Sequence, residues 1–424
     1  MINFLVKGLL RDKSRSMFPV MTVAAGVFLS VFLYSFMAGV FSDMLDANAK
    51  FETGHVKVMT RAYRELSDQV PNDLALLGVA DLTAQLQEYD SGMLWTPRIK
   101  FGGLLDIPDK TGETLEQGPV MGIGINLRDP ESPEHEILNL EKSIVSGRMP
   151  EQPNEILISE LFAEKLNVAA GDSATLLSST MYGSMAMYNF KVVGIIRFGM
   201  LALDKSTIVA DINDVRLALD MTDGASEILG FSGDMVYAEK PMRKLSTSFN
   251  GKFADESDEF SPVMMAMSEN MGLGDYMALA QSFIGIIIFI FVFAMSIVLW
   301  NSGLLNSLRR YGEIGVRLAM GEHKGALYRR MIMESVVIGI IGTLIGTALG
   351  LAASYYFQYV GWDISDMMKS SSVMITNIMR ARVTAVSYYI GFIPGIVASV
   401  LGTAFAGLGI YRRQTASLFK ELEV

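Results

Sequence analysis

Four long stretches without a charged residue stand out along the 424-residue chain, at residues 17–41, 276–308, 335–360 and 383–411. Each exceeds the roughly 20 apolar residues that an α-helix needs to cross about 30 Å of hydrocarbon. The pattern therefore predicts an α-helical membrane protein with four transmembrane helices.

The pattern changes between the first two of these stretches, where short apolar runs alternate with polar ones. Interleaved strands and helices of this kind indicate a large mixed α/β domain, inserted between the first and second spans. We expect Asp211 to act as a helix N-cap, and residues 42–51 and 262–275 to form stalk helices at the two ends of the domain. Strands are predicted over 54–63, 94–100, 120–126 and 191–197, a helix over 81–88, and strand-then-helix units over 155–168 and 206–221.

The basic residues predict the topology. Lys7, Arg11, Lys13 and Arg15 precede the first apolar stretch, and acidic residues follow it. Because short basic flanks stay in the cytoplasm, both termini are expected there. A cleavable signal peptide is the alternative, but its apolar region would be shorter. The predicted layout is cytoplasmic for 1–16, 309–334 and 412–424, transmembrane for 17–41, 276–308, 335–360 and 383–411, and on the outer side of the membrane for 42–275 and 361–382.

The cytoplasmic segment 309–334 combines basic residues with glycines. Glu313 and Arg317 are four residues apart, in the order that supports a helix. Gly321 is the predicted end of this helix. We interpret the segment as a short amphipathic helix that contacts a cytosolic partner; the alternative is a basic loop that only sets the topology. The residues expected at this contact are Gly312, Glu313, Ile314, Gly315, Arg317, Leu318 and Gly321, with Glu334 at the membrane interface.

Small residues recur every four positions in the last two apolar stretches. Gly342, Gly346 and Gly350 form a ladder in the third, and Gly391 and Gly395 begin another in the fourth. Small residues at this spacing let membrane helices approach closely. We therefore expect the third and fourth spans to pack together and the first two to move or to face a partner. Pro394 is expected to kink the fourth span.

Several kinds of chemistry are absent from the sequence. The chain has no cysteine, and its three histidines are far apart in the sequence, which argues against a metal site. It contains no G-x-x-x-x-G-K-[ST] phosphate loop, so no ATP binding is expected in this chain. No charged residue interrupts the four apolar stretches, which argues against an ion pathway. The domain between them is acidic, so nucleic acid is not an expected partner. We expect no enzyme activity, no cofactor and no metal in this chain.

The motif RYGEIGVRLAMG at residues 310–321 resembles the signature of the FtsX-like ABC permeases, which include lipoprotein-releasing and macrolide-efflux-type permeases. Glu334 fits the same pattern, and residues 147–195 are similar to the periplasmic core domain of this family. The resemblance implies a permease subunit of the mechanotransmission type, working as a homo- or heterodimer in membrane lipid. A separate cytosolic ATPase dimer would bind ATP and Mg and would dock on the 311–321 helix.

The resemblance also implies a substrate class and a second contact. The large core domain is most similar to that of the lipoprotein-releasing members, so lipoprotein release from the inner membrane is the expected function. A loop in the position of residues 178–189 would grip a periplasmic carrier or adaptor; the alternative is a plain hairpin. The loop residues expected to touch such a partner are Met181, Tyr182, Met185, Met187 and Tyr188.

Other functions remain open from the sequence. Within the family, the chain could be an efflux permease working with a periplasmic adaptor, or a regulator of cell-wall hydrolases. From a different class, it could be a membrane receptor with a periplasmic ligand-binding domain. A neighbouring ATPase gene would favour the permease, whereas a kinase gene would favour the receptor.

Overall fold

The computed structural model describes residues 13–109, 111–255, 257–270, 273–308, 311–364 and 378–412. The chain divides into two compact units. The helical unit comprises the described residues within 1–42, 279–362 and 379–424, and the α/β unit comprises those within 43–278 and 363–378. Both units are built from segments that are distant in sequence.

The secondary structure is as follows. The α-helices are α1 (Lys13–Asn48), α2 (Arg61–Glu65), α3 (Val79–Tyr89), α4 (Glu134–Ile137), α5 (Leu140–Ser143), α6 (Glu160–Lys165), α7 (Leu201–Asp204), α8 (Ile212–Leu219), α9 (Glu239–Phe253), α10 (Leu273–Leu308), α11 (Tyr311–Ala319), α12 (Lys324–Val360) and α13 (Ser399–Arg412). The strands are β1 (Val56–Thr60), β2 (Leu76–Leu77), β3 (Met93–Pro108), β4 (Thr114–Ile125), β5 (Ile144–Gly147), β6 (Glu155–Ser159), β7 (Ser173–Ser179), β8 (Met185–Ile196), β9 (Thr207–Asp211), β10 (Gly224–Ala225), β11 (Glu227–Ser232), β12 (Pro262–Ala266), β13 (Trp362–Asp363) and β14 (Ile378–Met379).

The α/β unit is built on a ten-stranded sheet with the order β12-β1-β11-β3-β4-β9-β6-β8-β5. The tenth strand, β7, pairs with both β3 and β8 and thereby closes six strands into a ring. Closure leaves these strands without a free edge. The ring is filled by alternate residues of its strands, among them Leu105, Ile158, Leu176, Phe190 and Ile208.

A second apolar layer covers part of the outside of the ring. Ile125, Leu157 and Val209 face away from the interior of the ring and pack in a cluster with Ala47 and Phe51, which lie at the end of α1 and just after it. The junction between α1 and the sheet is therefore part of the core of this unit.

Three helical segments of the described chain are long and apolar enough to cross a membrane: Met17–Thr53, Lys324–Val360 and Ala385–Phe405. A fourth apolar segment, Gly285–Val298, is shorter and lies within α10. In the last apolar region the helix is irregular, with a 3-10 turn at Ala385–Tyr388 and a π-turn at Ile393–Ala398 before α13 begins. Pro394, where a kink was predicted, lies at the start of this π-turn.

The expected stalk helix over residues 262–275 is wrong in its first part. Pro262–Ala266 forms strand β12, which pairs with β1 along its whole length. Three of the five residues of this strand are buried, and the strand packs against helix α9. At the other end, the helix does run on beyond residue 42, through α1 to Asn48 and a π-turn at Ala49–Thr53.

Candidate functional sites

The basic segment between the second and third apolar stretches contains a short helix of its own, α11. After Ala319 the chain turns, and the N–H groups of Met320, Gly321 and Glu322 donate to the carbonyls of Val316, Leu318 and Arg317 at 3.0–3.1 Å. Gly321 has φ +91°, a left-handed conformation that glycine adopts without strain. The turn separates α11 from α12, so α11 is a discrete unit.

The two sides of α11 differ in exposure. Gly315 is buried by the chain itself, Leu318 is half-buried, and Arg317 is exposed. Val316 and Met320 are four residues apart, so they share a face of the helix, and they are 46% and 76% exposed. This exposed apolar pair lies beside Arg317, and we call the three residues the α11 face. The sequence analysis missed it, although the spacing of Val316 and Met320 was visible.

Three of the residues expected at the cytosolic contact, Gly312, Glu313 and Ile314, lie in the first turn of α11. The side chains of Glu313 and Ile314 fall outside the described part of the structure. The Glu313–Arg317 pair therefore remains a prediction. Arg310, the first residue of the signature motif, also lies outside the described residues.

The turn after α11 is tied to the beginning of α12. Glu322 forms an ion pair with Arg330 at 2.8 Å. One turn into α12, the Tyr328 hydroxyl donates to the Ala404 carbonyl of α13 at 3.3 Å. Glu334 is half-buried one turn beyond Arg330. These contacts place the α11 face on a segment that is fastened to two apolar helices.

The glycine ladder of α12 lies against α1. Cβ atoms built on Gly342 and Gly350 would be 2.7 Å from Val23 and 2.9 Å from Val31, and one on Gly346 would be 2.5 Å from the Ala24 carbonyl oxygen. The expectation that the first helix stands apart from this contact was wrong. The four-residue spacing predicts that a close approach occurs, but it does not say which neighbour makes it.

The fourth apolar region also packs closely, through its own small residues. A Cβ on Gly395 would collide with Thr343 of α12, and one on Gly391 would lie 2.6 Å from Val27 of α1. Within the helical unit, Gly402 faces the backbone of Trp300 in α10. The third and fourth apolar regions thus pack together as expected, with α1 seated against both.

The residues expected to touch a periplasmic partner lie on and beside the hairpin of β7 and β8, and they differ in exposure. Met185 and Met187 are 82% and 67% exposed, and Tyr182 at the turn is also exposed. Met181, in contrast, is buried in the ring. Tyr188 turns inward, where its hydroxyl donates to Asn154 Oδ1 at 2.5 Å, and burial together with the Asp214 charge raises its pKa.

The exposed methionines belong to a wider apolar surface. Residues directly opposite one another on four adjacent strands form the row Pro119, Leu104, Leu177 and Met187 on the outside of the ring. Met121 and Met185 flank this row, and both are exposed. A cleft of about 720 Å³ opens beside it, between the hairpin turn and residues 69–73. Flexible methionines suit surfaces that adapt to a partner. We call this surface the methionine face.

The described residues show no group of three or more His, Asp or Glu side chains placed to hold a metal ion. His135 Nε2 donates to the Asp129 carbonyl oxygen, 3.1 Å away, and takes part in the local turn.

Comparison with known proteins agrees with the sequence motif. Residues 285–415 match the family model described as FtsX-like permease C-terminal. The lipoprotein-releasing system transmembrane protein LolC of Xylella fastidiosa (strain 9a5c) is 24% identical over 254 residues, 59% of each chain. The macrolide export ATP-binding/permease protein MacB of Neisseria gonorrhoeae is 30% identical over 112 residues, which are 25% of this chain and 17% of MacB.

One solved structure shows a weaker likeness. The periplasmic region of MacB from Actinobacillus actinomycetemcomitans covers 52% of this chain and 91% of its own length, at 12% sequence identity. The TM-score is 0.36, which is too low to establish a shared fold.

The resemblance predicted from residues 310–321 is confirmed, because the match to the family model includes them. Residues 285–415 are thus similar to the FtsX-like permease C-terminal family, and the chain is similar in sequence to LolC and MacB. The alignments span 59% of LolC and 17% of MacB.

Proposed function

We propose that this chain is the permease subunit of an ABC transporter of the mechanotransmission type. In this proposal, ATP hydrolysis by a separate cytosolic ATPase drives movement of the α/β unit. The observation that carries the proposal is α11, a discrete helix between two apolar helices that lies inside the FtsX-like match and exposes Val316, Arg317 and Met320.

The topology follows from the apolar helices and the basic flanks. We propose four membrane spans in the inner membrane, with α10 as the second, both termini in the cytoplasm and the α/β unit in the periplasm. At 1.5 Å per residue, the 36 residues of α10 extend over about 54 Å, more than the hydrocarbon thickness. In this proposal, residues 43–278, the main part of the α/β unit, are inserted between the first and second spans.

The proposed partners are a cytosolic ATPase dimer and a second permease chain. An ATPase dimer, which binds ATP and Mg, docks on the α11 face of each permease chain. A second permease chain, identical or related, completes the membrane part. The exposed apolar side chains of α10, such as Phe289 and Phe293, face lipid or this second chain.

The proposed substrates are lipoproteins released from the inner membrane. The similarity to LolC supports this choice, because it extends over 59% of the chain, whereas the MacB alignment covers 25%. The methionine face supports docking of a periplasmic carrier on the outside of the ring. Efflux with a periplasmic adaptor is the second candidate, since the MacB alignment has the higher identity and an adaptor could use the same face.

The first experiment is affinity purification of the full chain from detergent-solubilised membranes, with detection of bound ATPase. We compare wild type with Met320→Arg and Val316→Arg, which place a charge in the α11 face without disturbing a buried residue. Gly315→Trp is less informative, because Gly315 is already buried and the variant would alter the fold. Glu164→Lys, on an exposed position of α6, is the control for a change of charge elsewhere.

We expect an ATPase to copurify with wild type and with Glu164→Lys. The amount of ATPase recovered with Met320→Arg should be at least tenfold lower. Recovery of no ATPase with any variant would overturn the permease proposal and favour a receptor. To separate the two substrates, lipoprotein release from spheroplasts and macrolide resistance are then measured in a strain that lacks this gene.

A further inference from the structure

The α/β unit contains a row of polar and charged side chains along β3. Thr96, Arg98 and Lys100 occupy alternate positions and therefore share one face of the strand. Arg98 is the largest of the fully buried side chains, and Thr96 is buried too. A buried cation is retained only where partners compensate for the loss of water. The residues that bind these side chains show which segment of the chain this face of β3 contacts.

Arg98 binds two different segments at once. Its Nε and Nη2 donate to the two carboxylate oxygens of Glu134 at 2.7 and 2.8 Å. Its Nη1 donates to the backbone carbonyl of Lys50 at 2.6 Å. Thr96 completes the set by donating to Glu134 at 2.8 Å. Glu134 thus orients the guanidinium, and the guanidinium holds the backbone at Lys50.

Two lysines hold the same backbone segment two residues later. Lys57 Nζ donates to the Glu52 carbonyl at 3.2 Å and pairs with Glu227 at 3.1 Å. Lys100 Nζ pairs with the Glu52 carboxylate at 2.6 Å and with Glu227 at 3.2 Å. Burial alone would lower the pKa of Lys100, but Glu227 and Glu52 raise it on balance, so Lys100 is charged at neutral pH.

The segment that these cations hold is the end of the first helix. After α1, residues Ala49–Thr53 form a π-turn, which Gly54 ends with φ +59° and ψ −170°. A Cβ on Gly54 would lie 2.6 Å from the Val56 carbonyl oxygen, so only glycine fits. The last carbonyls of a helix lack partners within the helix and form the negative end of its dipole. Arg98 and Lys57 satisfy two of these carbonyls, at Lys50 and Glu52.

The strand that follows links this end of the helix to the other end of the domain. β1 begins two residues after Gly54, and it pairs with β12 from Val56↔Ala266 to Thr60↔Pro262. β12 is the last strand before α10. The two places where the chain enters and leaves the sheet are therefore hydrogen-bonded neighbours.

We propose that Arg98, Lys57 and Lys100 are positioning residues that fasten the carbonyl end of the first helix to β1 and β3, so that displacement of this helix moves the sheet. The inference rests on the proposed function, in which nucleotide drives that displacement. Without these three side chains, the π-turn would absorb the displacement, because its carbonyls would be free to shift.

The test compares hydrogen–deuterium exchange of the full permease–ATPase complex with and without ATP and vanadate, peptide by peptide. The main variant is Arg98→Met/Glu134→Gln, which removes the buried charge pair, leaves an acceptor for Thr96 and deprives the Lys50 carbonyl of its donor. Glu52→Ala removes a half-exposed partner of Lys100 and serves as a second variant that disturbs the core less. Arg197→Gln, which breaks an exposed pair with Glu160 in the same unit, is the matched control.

In wild type and Arg197→Gln, we expect nucleotide to change exchange both in α1 and in β1 and β12. In Arg98→Met/Glu134→Gln, the change in α1 and the ATPase rate should persist, while the change in β1 and β12 falls below half of the wild-type value. Glu52→Ala should show a smaller loss in the same strands.

A purely structural role gives a different result. The variants would then exchange faster in both states, but the nucleotide-dependent difference in β1 and β12 would equal that of wild type, which would overturn the inference alone. If wild type shows no nucleotide-dependent change in any peptide, both the inference and the proposed function are overturned.

Discussion

A methyl group added to Gly346 would lie 2.5 Å from the carbonyl oxygen of Ala24, because α12 and α1 approach each other to backbone contact at this point. Gly342 and Gly350, one turn away on either side, make the same kind of approach to Val23 and Val31. The three glycines therefore set the distance between these two helices.

We expect Gly346→Ala to destabilise the helical unit. No flexible side chain can yield at this position, because the nearest atom belongs to the backbone, so the helices must separate. Overpacking of this kind costs about 1–3 kcal/mol. The measurement is the thermal unfolding midpoint of the full chain in detergent.

Gly285→Ala is the matched control, since a Cβ there meets no atom within 4 Å. Both glycines lie inside long helices, so the gain in helix propensity is the same for the two variants. Equal midpoints for the two variants would show that the α1–α12 contact does not depend on Gly346.

The methionines of the β7–β8 hairpin should respond differently to the same substitution. Met185→Asp and Met187→Asp place a carboxylate in solvent, so the free energy of unfolding should change by less than about 0.5 kcal/mol. Met181→Asp buries the carboxylate among apolar side chains and should cost several kcal/mol. Chemical denaturation of the three variants, followed by hydrogen exchange of β8, measures this difference.

The two exposed variants also test the methionine face. If a carrier or adaptor binds there, its affinity should fall at least tenfold with Met187→Asp, although the fold is unchanged. Unaltered affinity in both exposed variants would place the partner elsewhere.

The pair of Arg98 and Glu134 predicts a non-additive result. Arg98→Met alone leaves the Glu134 carboxylate buried with only Thr96 beside it, and loss of one partner from a buried pair costs about 3–5 kcal/mol. Arg98→Met/Glu134→Gln removes the second charge as well, so it should recover most of this loss. A double-mutant cycle of unfolding free energies measures the coupling. Additive effects would mean that the two charges stabilise the fold independently.

The sequence predicted the elements whose signals are local. Residues 155–168 were expected to be strand then helix, and β6 and α6 follow in that order. Asp211 was expected to cap a helix, and its side chain accepts the N–H of Asn213 at 3.0 Å. The α11 helix and the left-handed conformation of Gly321 follow from the same kind of local signal.

The sequence could not predict contacts between distant segments. The closure of the ring by β7 depends on two pairings, to β3 and to β8, and residues 173–179 contain too few apolar residues to indicate a strand alone. Arg98 was part of a predicted strand, but its buried position depends on Glu134 and on the end of α1. The glycine ladder of α12 likewise specified a close contact without specifying α1 as the neighbour.

The pH dependence of stability should show a contribution from His55. This side chain is buried between Phe231 and Tyr237, and its Nδ1 accepts the N–H of Ser232 at 3.0 Å. Burial lowers its pKa to about 4, although the nearby Asp234 charge opposes the shift. His55 is therefore neutral in the folded state at pH 7.

The sign of the effect follows from this shift. The folded pKa lies below the value near 6.5 of the unfolded chain, so protonation favours unfolding. Above pH 6.5, neutral His55 contributes about 2–3 kcal/mol to the free energy of unfolding. This contribution is lost as the pH falls from 6.5 to 4. Thermal midpoints of wild type and His55→Gln are measured from pH 7 to pH 4. The midpoint of wild type should fall more steeply than that of His55→Gln, because the acid sensitivity of the carboxylates is common to both; parallel curves would show that His55 does not titrate in this range.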